Sequence, residues 1–234
     1  MMKAFEYSLA EMAIKDYFSQ TEDMKREEEE IITYALEKYS PIHSYRVAYR
    51  LQRRHINHIV VSSVLSDLPQ LHREVIIRKY KKREMSNKIA MELNISINKI
   101  TSIERSAQKN INNMLKYTMT EQDIYSRSKV VNMVHILDIR LSFLEDHPEI
   151  MPYVNKDWLI SLRICREKYR RLYSAMEDVF LKASTSLHFS IIAERLKDPT
   201  LTSKDLSSIC HVPQNGINRH LRTYAAEMSK YLVA

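Results

Sequence analysis

The sequence predicts an all-α protein of several helices, with a three-helix pattern in its N-terminal half and a weaker copy at the end of a C-terminal helical domain. The 234 residues include a single glycine, Gly216, and six prolines. Sheets and nucleotide-binding loops need several glycines, for positive-φ turns and for close backbone approach. Apolar residues also recur three and four positions apart, which is the spacing of amphipathic helices. Helices joined by short polar turns are therefore predicted, and glycine-rich phosphate loops are excluded.

The N-terminal residues 1–66 are predicted to form helices that are first acidic and then basic. Apolar spacing predicts a helix over 4–19, and 21–40 predicts a second helix whose opening acids suit a helix N-terminus. Pro41 ends that helix or begins the next one. A basic helix is predicted over 44–64, in which four arginines fall on neighbouring turns. These are Arg46, Arg50, Arg53 and Arg54.

Residues 67–117 contain the first three-helix pattern. Polar residues followed by Pro69 predict a helix start, because proline is tolerated in the first turn of a helix. This helix is expected to continue through the basic residues up to position 82. The pattern then predicts a short helix over 86–93, a turn over 94–96 and a longer helix over 97–115.

The C-terminal half is predicted to begin with a linker, followed by a central helical region and a second three-helix segment. Residues 118–128 are the expected linker, although they contain neither proline nor glycine. The central region, 129–186, is expected to set the spacing of the flanking segments or to dimerise. Its predicted helices cover 130–147 and 156–182, and the final segment is 187–234. The inner stripe expected on the longer helix is Trp158, Leu162, Tyr169, Leu172, Met176 and Val179.

The spacing within 86–103 is typical of a helix-turn-helix. Two helices that cross steeply over a short turn need a small side chain at the crossing, here Ala90. Ser96 stands where an N-cap is required, since its hydroxyl can accept a hydrogen bond from an unpaired amide of the new helix. The small core that seals the motif is predicted to consist of Ile89, Leu93, Ile95, Ile100 and Ile103.

A second copy near the C-terminus repeats these offsets. Leu206 lies eleven positions before Ile217, as Ile89 lies before Ile100, and Ser207 lies five before Val212. Leu221 completes its predicted core. Two residues depart from the first copy, and both weaken the pattern. Pro213 occupies the cap position, and Gly216 costs up to ~1 kcal/mol in helix propensity relative to alanine.

The charge distribution points to a polyanionic partner. The net charge is +7, but residues 41–115 hold fourteen Lys and Arg against five acids, whereas residues 1–40 have a net charge of −5. A basic stretch of this kind is typical of nucleic-acid binding. The two cysteines, Cys165 and Cys210, show no metal-ligand spacing, which suits a reducing cytoplasm. We expect no metal, cofactor, membrane span or catalytic site, and a cytoplasmic protein that is not an enzyme.

A wider pattern extends over the three predicted helices of residues 68–115. Its residues are Leu68, Pro69, Arg73, Glu74, Val75, Arg78, Lys79, Tyr80, Ser86, Ile89, Ala90, Leu93, Ile95, Ser96, Ile100, Ile103, Glu104, Ala107 and Leu115. This pattern, about a fifth of the chain, resembles region 4 of the sigma-70 family of RNA polymerase sigma factors. No segment of residues 1–65 matches the polymerase-binding and strand-melting helix of those factors, so the chain resembles a sigma-like regulator rather than a complete sigma factor.

The resemblance implies a helix that enters the major groove of double-stranded DNA. Asn and Thr can contact adenine edges and thymine methyl groups, which favours an A·T-rich site over the usual promoter element of the family. The implied base-contacting residues are Ile97, Asn98, Lys99, Thr101, Ser102 and Arg105. The implied phosphate-binding residues are Lys79, Lys81, Lys82, Arg83 and Lys88, with Arg46, Arg50, Arg53 and Arg54 extending the track.

The function implied is a sequence-specific DNA-binding transcription regulator, of the kind that phages and other mobile elements carry in Gram-positive bacteria. An alternative stays open, in which the chain acts on RNA polymerase or on a sigma factor with little base-specific contact. A homodimer is a further expected partner state. The second helix-turn-helix is expected to present Gln214, Asn215, Asn218, Arg219 and Arg222 to a second site.

Overall fold

The protein is all-α, as the glycine-poor sequence predicts. The computed structural model describes residues 2–19 and 41–233, and these two ranges contain helices and turns but no β-strand. The helix predicted over 21–40 lies outside the described residues. The α-helices are α1 (Met2–Ser19), α2 (Pro41–Asp67), α3 (Gln70–Ile76), α4 (Ser86–Leu93), α5 (Ile97–Leu115), α6 (Arg127–Asp146), α7 (Lys156–Leu181), α8 (Leu187–Lys197), α9 (Ser203–Cys210), α10 (Gln214–Met228) and α11 (Lys230–Val233).

The observed helices confirm most of the predicted ones with small shifts at their ends. Pro41 is the first residue of α2, which is one of the two predicted alternatives. The helix predicted to run through the basic residues consists of α3 and a π-helical turn, Ile77–Lys81, that directly follows it. Short 3₁₀ helices precede α6 and α7, at Asp123–Tyr125 and Pro148–Tyr153.

The chain forms two compact units, of which the first comprises the described residues up to 116 together with 139–159. Helix α5 is central to this unit, because α1, α2, α3 and α4 all pack against it. Its inner face is apolar and buried, and α2 supplies a matching apolar face. The buried residues of α5 include Ile100, Ile103, Ala107, Ile111 and Met114, and those of α2 include Ile56, Val60, Val61 and Val64.

Arg73 joins the end of α2 to the start of α3. Its guanidinium donates from Nε to the carbonyl oxygen of Leu65 at 2.8 Å and from Nη2 to that of Ser66 at 2.8 Å. The last carbonyls of a helix have no partner within the helix, and a basic side chain there satisfies them. Arg73 therefore has a structural role as a helix cap.

The second unit comprises residues 117–138 and 160–234, and it contains the C-terminal three-helix segment. Helices α8, α9 and α10 pack against one another around Ile191, Leu206 and Ile217. Much of the inner stripe predicted on α7 is buried, including Leu172 and Met176, whereas Trp158 is half-buried.

The segment predicted as a linker, 118–128, contains an anchored turn within this second unit. Ile124 is fully buried, and its carbonyl oxygen accepts a hydrogen bond from the Tyr224 hydroxyl at 3.0 Å. The Tyr125 hydroxyl donates to the Leu221 carbonyl oxygen at 2.8 Å. These two bonds fasten the turn to α10.

Candidate nucleic-acid interface

The first helix-turn-helix has the inner core that the sequence predicts. Ile89, Ile100 and Ile103 are at most 2% exposed, and Leu93 and Ile95 are half-buried beside them. Ala90 is also half-buried, which fits its predicted place at the crossing of α4 and α5. The inner face of α5 is therefore held by α4 and by the turn.

The turn between α4 and α5 depends on Asn94 and Ser96. Asn94 caps α4 in the left-handed conformation, with φ 51° and ψ 47°, which asparagine tolerates better than most residues. The Ile95 amide then donates to the Ala90 carbonyl oxygen at 3.0 Å. The Ser96 hydroxyl accepts from the Lys99 amide at 3.1 Å, which confirms the predicted N-cap of α5.

Arg78 fixes α4 to the end of α3 from a buried position. Its side chain is 8% exposed and donates from Nε to Glu84 Oε2 at 2.8 Å, and it also donates to Glu92 on α4. The hydrogen bond from Arg78 lowers the pKa of Glu92, and the nearby charges of Lys88 and Lys82 contribute in the same direction. Arg78 was not among the predicted site residues.

Glu104 fixes α5 to the π-helical turn. Its carboxylate accepts from Lys79 Nζ at 2.5 Å and from the Tyr80 hydroxyl at 2.6 Å. Gln108, one turn further along α5, donates to the Tyr80 hydroxyl at 3.1 Å. Burial raises the pKa of Tyr80, and the hydrogen bond to the Glu104 carboxylate adds to the increase. Lys79, predicted to bind phosphate, thus has a carboxylate partner within the protein.

The outer face of α5 is open to solvent. Ile97, the first residue of α5, is 48% exposed. Thr101 is half-buried, and its hydroxyl donates to the Ile97 carbonyl oxygen at 3.2 Å. The other predicted base-contacting side chains are exposed, namely Asn98, Lys99, Ser102 and Arg105.

His72 on α3 belongs to the same surface and was not among the predicted site residues. Its side chain is half-buried, and burial followed by the positive charge of Lys99 lowers its pKa. The start of α3 therefore lies near the start of α5. No feature of the linear sequence could have indicated this, because it follows from the crossing of two helices.

The predicted phosphate-binding residues beyond Lys79 are exposed where the structure describes their side chains. Lys88 is 4.0 Å from Glu92 on its own helix and remains more than half exposed. The Arg46 side chain lies outside the described residues. The exposed members of the set are Lys81, Lys82, Arg83 and Lys88, and on α2 Arg50, Arg53 and Arg54.

The second helix-turn-helix has the same local design in the other unit. His211 ends α9 in the left-handed conformation, with φ 54° and ψ 38°. The Ser207 hydroxyl donates to the Val212 carbonyl oxygen at 2.6 Å across the turn. Pro213 precedes α10 in an extended conformation, with ψ 143°, and so starts this helix without a side-chain cap.

Gly216 is explained by close packing at this second turn. A Cβ placed on Gly216 would lie 2.9 Å from Val212 Cγ1, closer than the 3.5–4.0 Å that carbon atoms prefer. Helix propensity alone counts this glycine against the motif, because alanine is the better helix former. The structure shows that a side chain here would collide with the turn residue.

The outer face of α10 is polar and basic. Asn218 is half-buried, and its Oδ1 accepts from the Ser203 hydroxyl at 2.7 Å, so this residue helps to hold α9 against α10. The other four side chains predicted for this surface, Gln214, Asn215, Arg219 and Arg222, are exposed.

Comparison of the chain with family models, with curated proteins and with solved structures gives no match. Among the helices that the structure describes, none combines the length and the apolarity needed to cross a bilayer. The described residues also include no cluster of three His, Cys, Asp or Glu side chains suited to a metal ion.

Proposed function

We propose that this protein is a sequence-specific DNA-binding transcription regulator that contacts bases in the major groove through α5. The observation that carries the proposal is the division of α5 into two faces. Its inner face is buried against four other helices, whereas its outer face presents Asn98, Ser102 and Arg105 to solvent. A rigid helix with a polar outer face has the width and chemistry that suit the major groove.

The side chains at the start of α5 favour an A·T-rich site. The Asn98 amide can pair with the N6 and N7 edge of adenine, which is a bidentate contact. Ile97, exposed beside it, offers an apolar surface of the kind that packs on a thymine methyl group. These two contacts would give the sequence preference, and each polar pair is worth ~1–3 kcal/mol of discrimination.

The basic residues before α4 supply the attraction to the phosphates. Lys81, Lys82 and Arg83 are consecutive and exposed, and Lys88 follows on α4. Contacts of this type set the orientation of the protein on the duplex but do not distinguish sequences. Lys79 is expected to contribute less, since Glu104 already holds its ammonium group.

Footprinting of the purified chain on the DNA upstream of its own coding sequence tests this proposal. We expect protection of at least one A·T-rich segment without added polymerase. Asn98→Ala should weaken protection at that segment, whereas the exposed Gln122→Ala in the other unit serves as a matched control that leaves it unchanged. The proposal that α5 contacts bases would be contradicted if no segment is protected. It would also be contradicted if Asn98→Ala protects the segment as strongly as the wild type does.

A second candidate function is supported by exposed methionines on the same unit. Met85 is 81% exposed and Met91 on α4 is 78% exposed, and flexible methionine surfaces are common at protein-binding sites. In this alternative the chain would act on RNA polymerase or on a sigma factor, with little base contact. Two results would favour this alternative. Footprints would appear only when polymerase is added, and Met91→Ser would weaken them whereas Asn98→Ala would not.

A further inference from the structure

The two helix-turn-helix segments share one three-helix layout at a constant separation. Helix α9 begins at Ser203, which lies 117 residues after Ser86, the first residue of α4. Helix α10 begins at Gln214, which lies 117 residues after Ile97, the first residue of α5. The left-handed turn residues, Asn94 and His211, keep the same separation. No insertion or deletion therefore separates the copies across the turn.

The separation of 117 residues also matches the buried positions. Ile89 and Leu206 correspond, as do Ile100 and Ile217, and all four are fully buried. The preceding helices correspond too, since α8 begins 117 residues after α3. Because equivalent positions form the two cores, α10 corresponds to α5. The outer face of α10 is therefore the equivalent of the outer face of α5.

The outer faces match at two of three equivalent positions and differ at the third. Asn98 and Asn215 match, but Arg219 replaces Ser102, and Arg222 matches Arg105. Helix α10 thus places two exposed arginines three positions apart, on neighbouring turns of one face. Arginine pairs in a bidentate manner with guanine O6 and N7, which is the commonest specific contact in the major groove.

We propose that α10 recognises a second, guanine-containing duplex element, distinct from the A·T-rich element contacted by α5. This inference rests on the proposed function, because it assigns a second DNA site to the same chain. Arg219 and Arg222 would contact guanines, and Asn215 an adjacent adenine. One chain then binds a two-part site of two different sequences.

The charge distribution makes binding to the second DNA element depend on the affinity that the first unit provides. Residues 70–111 hold ten Lys and Arg against four acids, whereas residues 187–228 hold five against four. Phosphate neutralisation supplies most of the sequence-independent affinity. The first unit therefore provides the main attraction to the duplex, and the second adds discrimination among sequences.

Selection of the full-length chain on a random duplex library tests this proposal. Wild type should enrich duplexes that contain both an A·T-rich and a guanine-containing element. The Arg219→Ala, Arg222→Ala double variant should lose the guanine preference, by roughly five- to one-hundred-fold for each guanine contact removed, while it retains the A·T-rich element. Asn98→Ala should do the reverse. Both changes lie on exposed side chains, and circular dichroism checks that the helices are retained.

The Arg219→Lys, Arg222→Lys variant separates guanine contact from charge. Lysine keeps the positive charge but lacks the planar bidentate fork, so the guanine preference should fall while the salt dependence of binding stays unchanged. A single enriched element that all α10 variants leave unaltered would overturn the second site while the proposed function stands. Enrichment of no duplex at all would overturn both.

Discussion

Gly216→Ala provides a quantitative test of the packing in the second helix-turn-helix. The added methyl group would lie 2.9 Å from Val212 Cγ1, so the turn or the helix must shift. Overpacking of this kind costs ~1–3 kcal/mol, and the gain in helix propensity from glycine to alanine returns up to ~1 kcal/mol. With the full propensity gain returned, we expect a net loss of up to about 2 kcal/mol in the local free energy of opening.

The same substitution should change sign when Val212 is truncated. In a Val212→Ala background the clashing methyl group is absent, and only the propensity gain of up to ~1 kcal/mol remains. Hydrogen exchange of the backbone amides over 203–221 measures both effects in this segment. If Gly216→Ala shifts amide protection in the same direction in both backgrounds, the steric explanation is wrong.

Three further predictions concern the contacts that hold each unit. Lys79→Ala should lower thermal stability but reduce the salt dependence of DNA binding less than Lys82→Ala does, because Glu104 already holds the Lys79 ammonium at 2.5 Å. Tyr125→Phe should cost ~0.5–1.5 kcal/mol, measured by urea unfolding, since it removes the hydroxyl that donates to Leu221. His188, whose Nδ1 lies 3.0 Å from that of His220, has a pKa lowered by burial and then by His220. His188 takes up a proton more readily in the unfolded chain than in the folded one. The free energy of unfolding should therefore be highest above about pH 6.5 and should decline as the pH falls through the pKa of the folded state.

Each of these predictions has an outcome that contradicts it. Equal losses of salt dependence in the Lys79 and Lys82 variants would place Lys79 on the phosphates after all. Unchanged unfolding of Tyr125→Phe would show that the turn at 123–125 is held by other contacts. His188→Gln should abolish part of the pH dependence even though Glu227 opposes the pKa shift, and an unaltered pH profile would assign the dependence to other groups.

The sequence predicted the features that depend on local spacing. The offsets of Ile89, Ala90, Ile95 and Ile100 follow from helix periodicity and from the short turn, and the structure places them as expected. Ser96 is the N-cap because its hydroxyl is at the right distance from the first amides, which is a property of a few residues. Such features can be derived from sequence, since no distant residue takes part in them.

Features that depend on distant residues could not be predicted. Lys79 and Glu104 are 25 positions apart, and their pairing follows from the crossing of two helices. The same applies to Gly216, because the side chain that excludes a Cβ there is that of Val212 in the turn and not one in its own helix. Helix propensity and charge patterning describe each segment separately. They therefore indicate neither the packing reason for Gly216 nor the partner of Lys79.

The salt dependence of DNA binding tests the central proposal most directly. Fluorescence anisotropy with a selected duplex should give a steep log–log slope, of about −0.9 for each phosphate engaged, and about −5 if six are engaged. Lys82→Ala should make that slope less negative by about 0.9, whereas Lys156→Ala, exposed at the start of α7, should leave it unchanged. A flat response to salt, or binding that Lys82→Ala and Asn98→Ala leave intact, would contradict a duplex contact centred on α5.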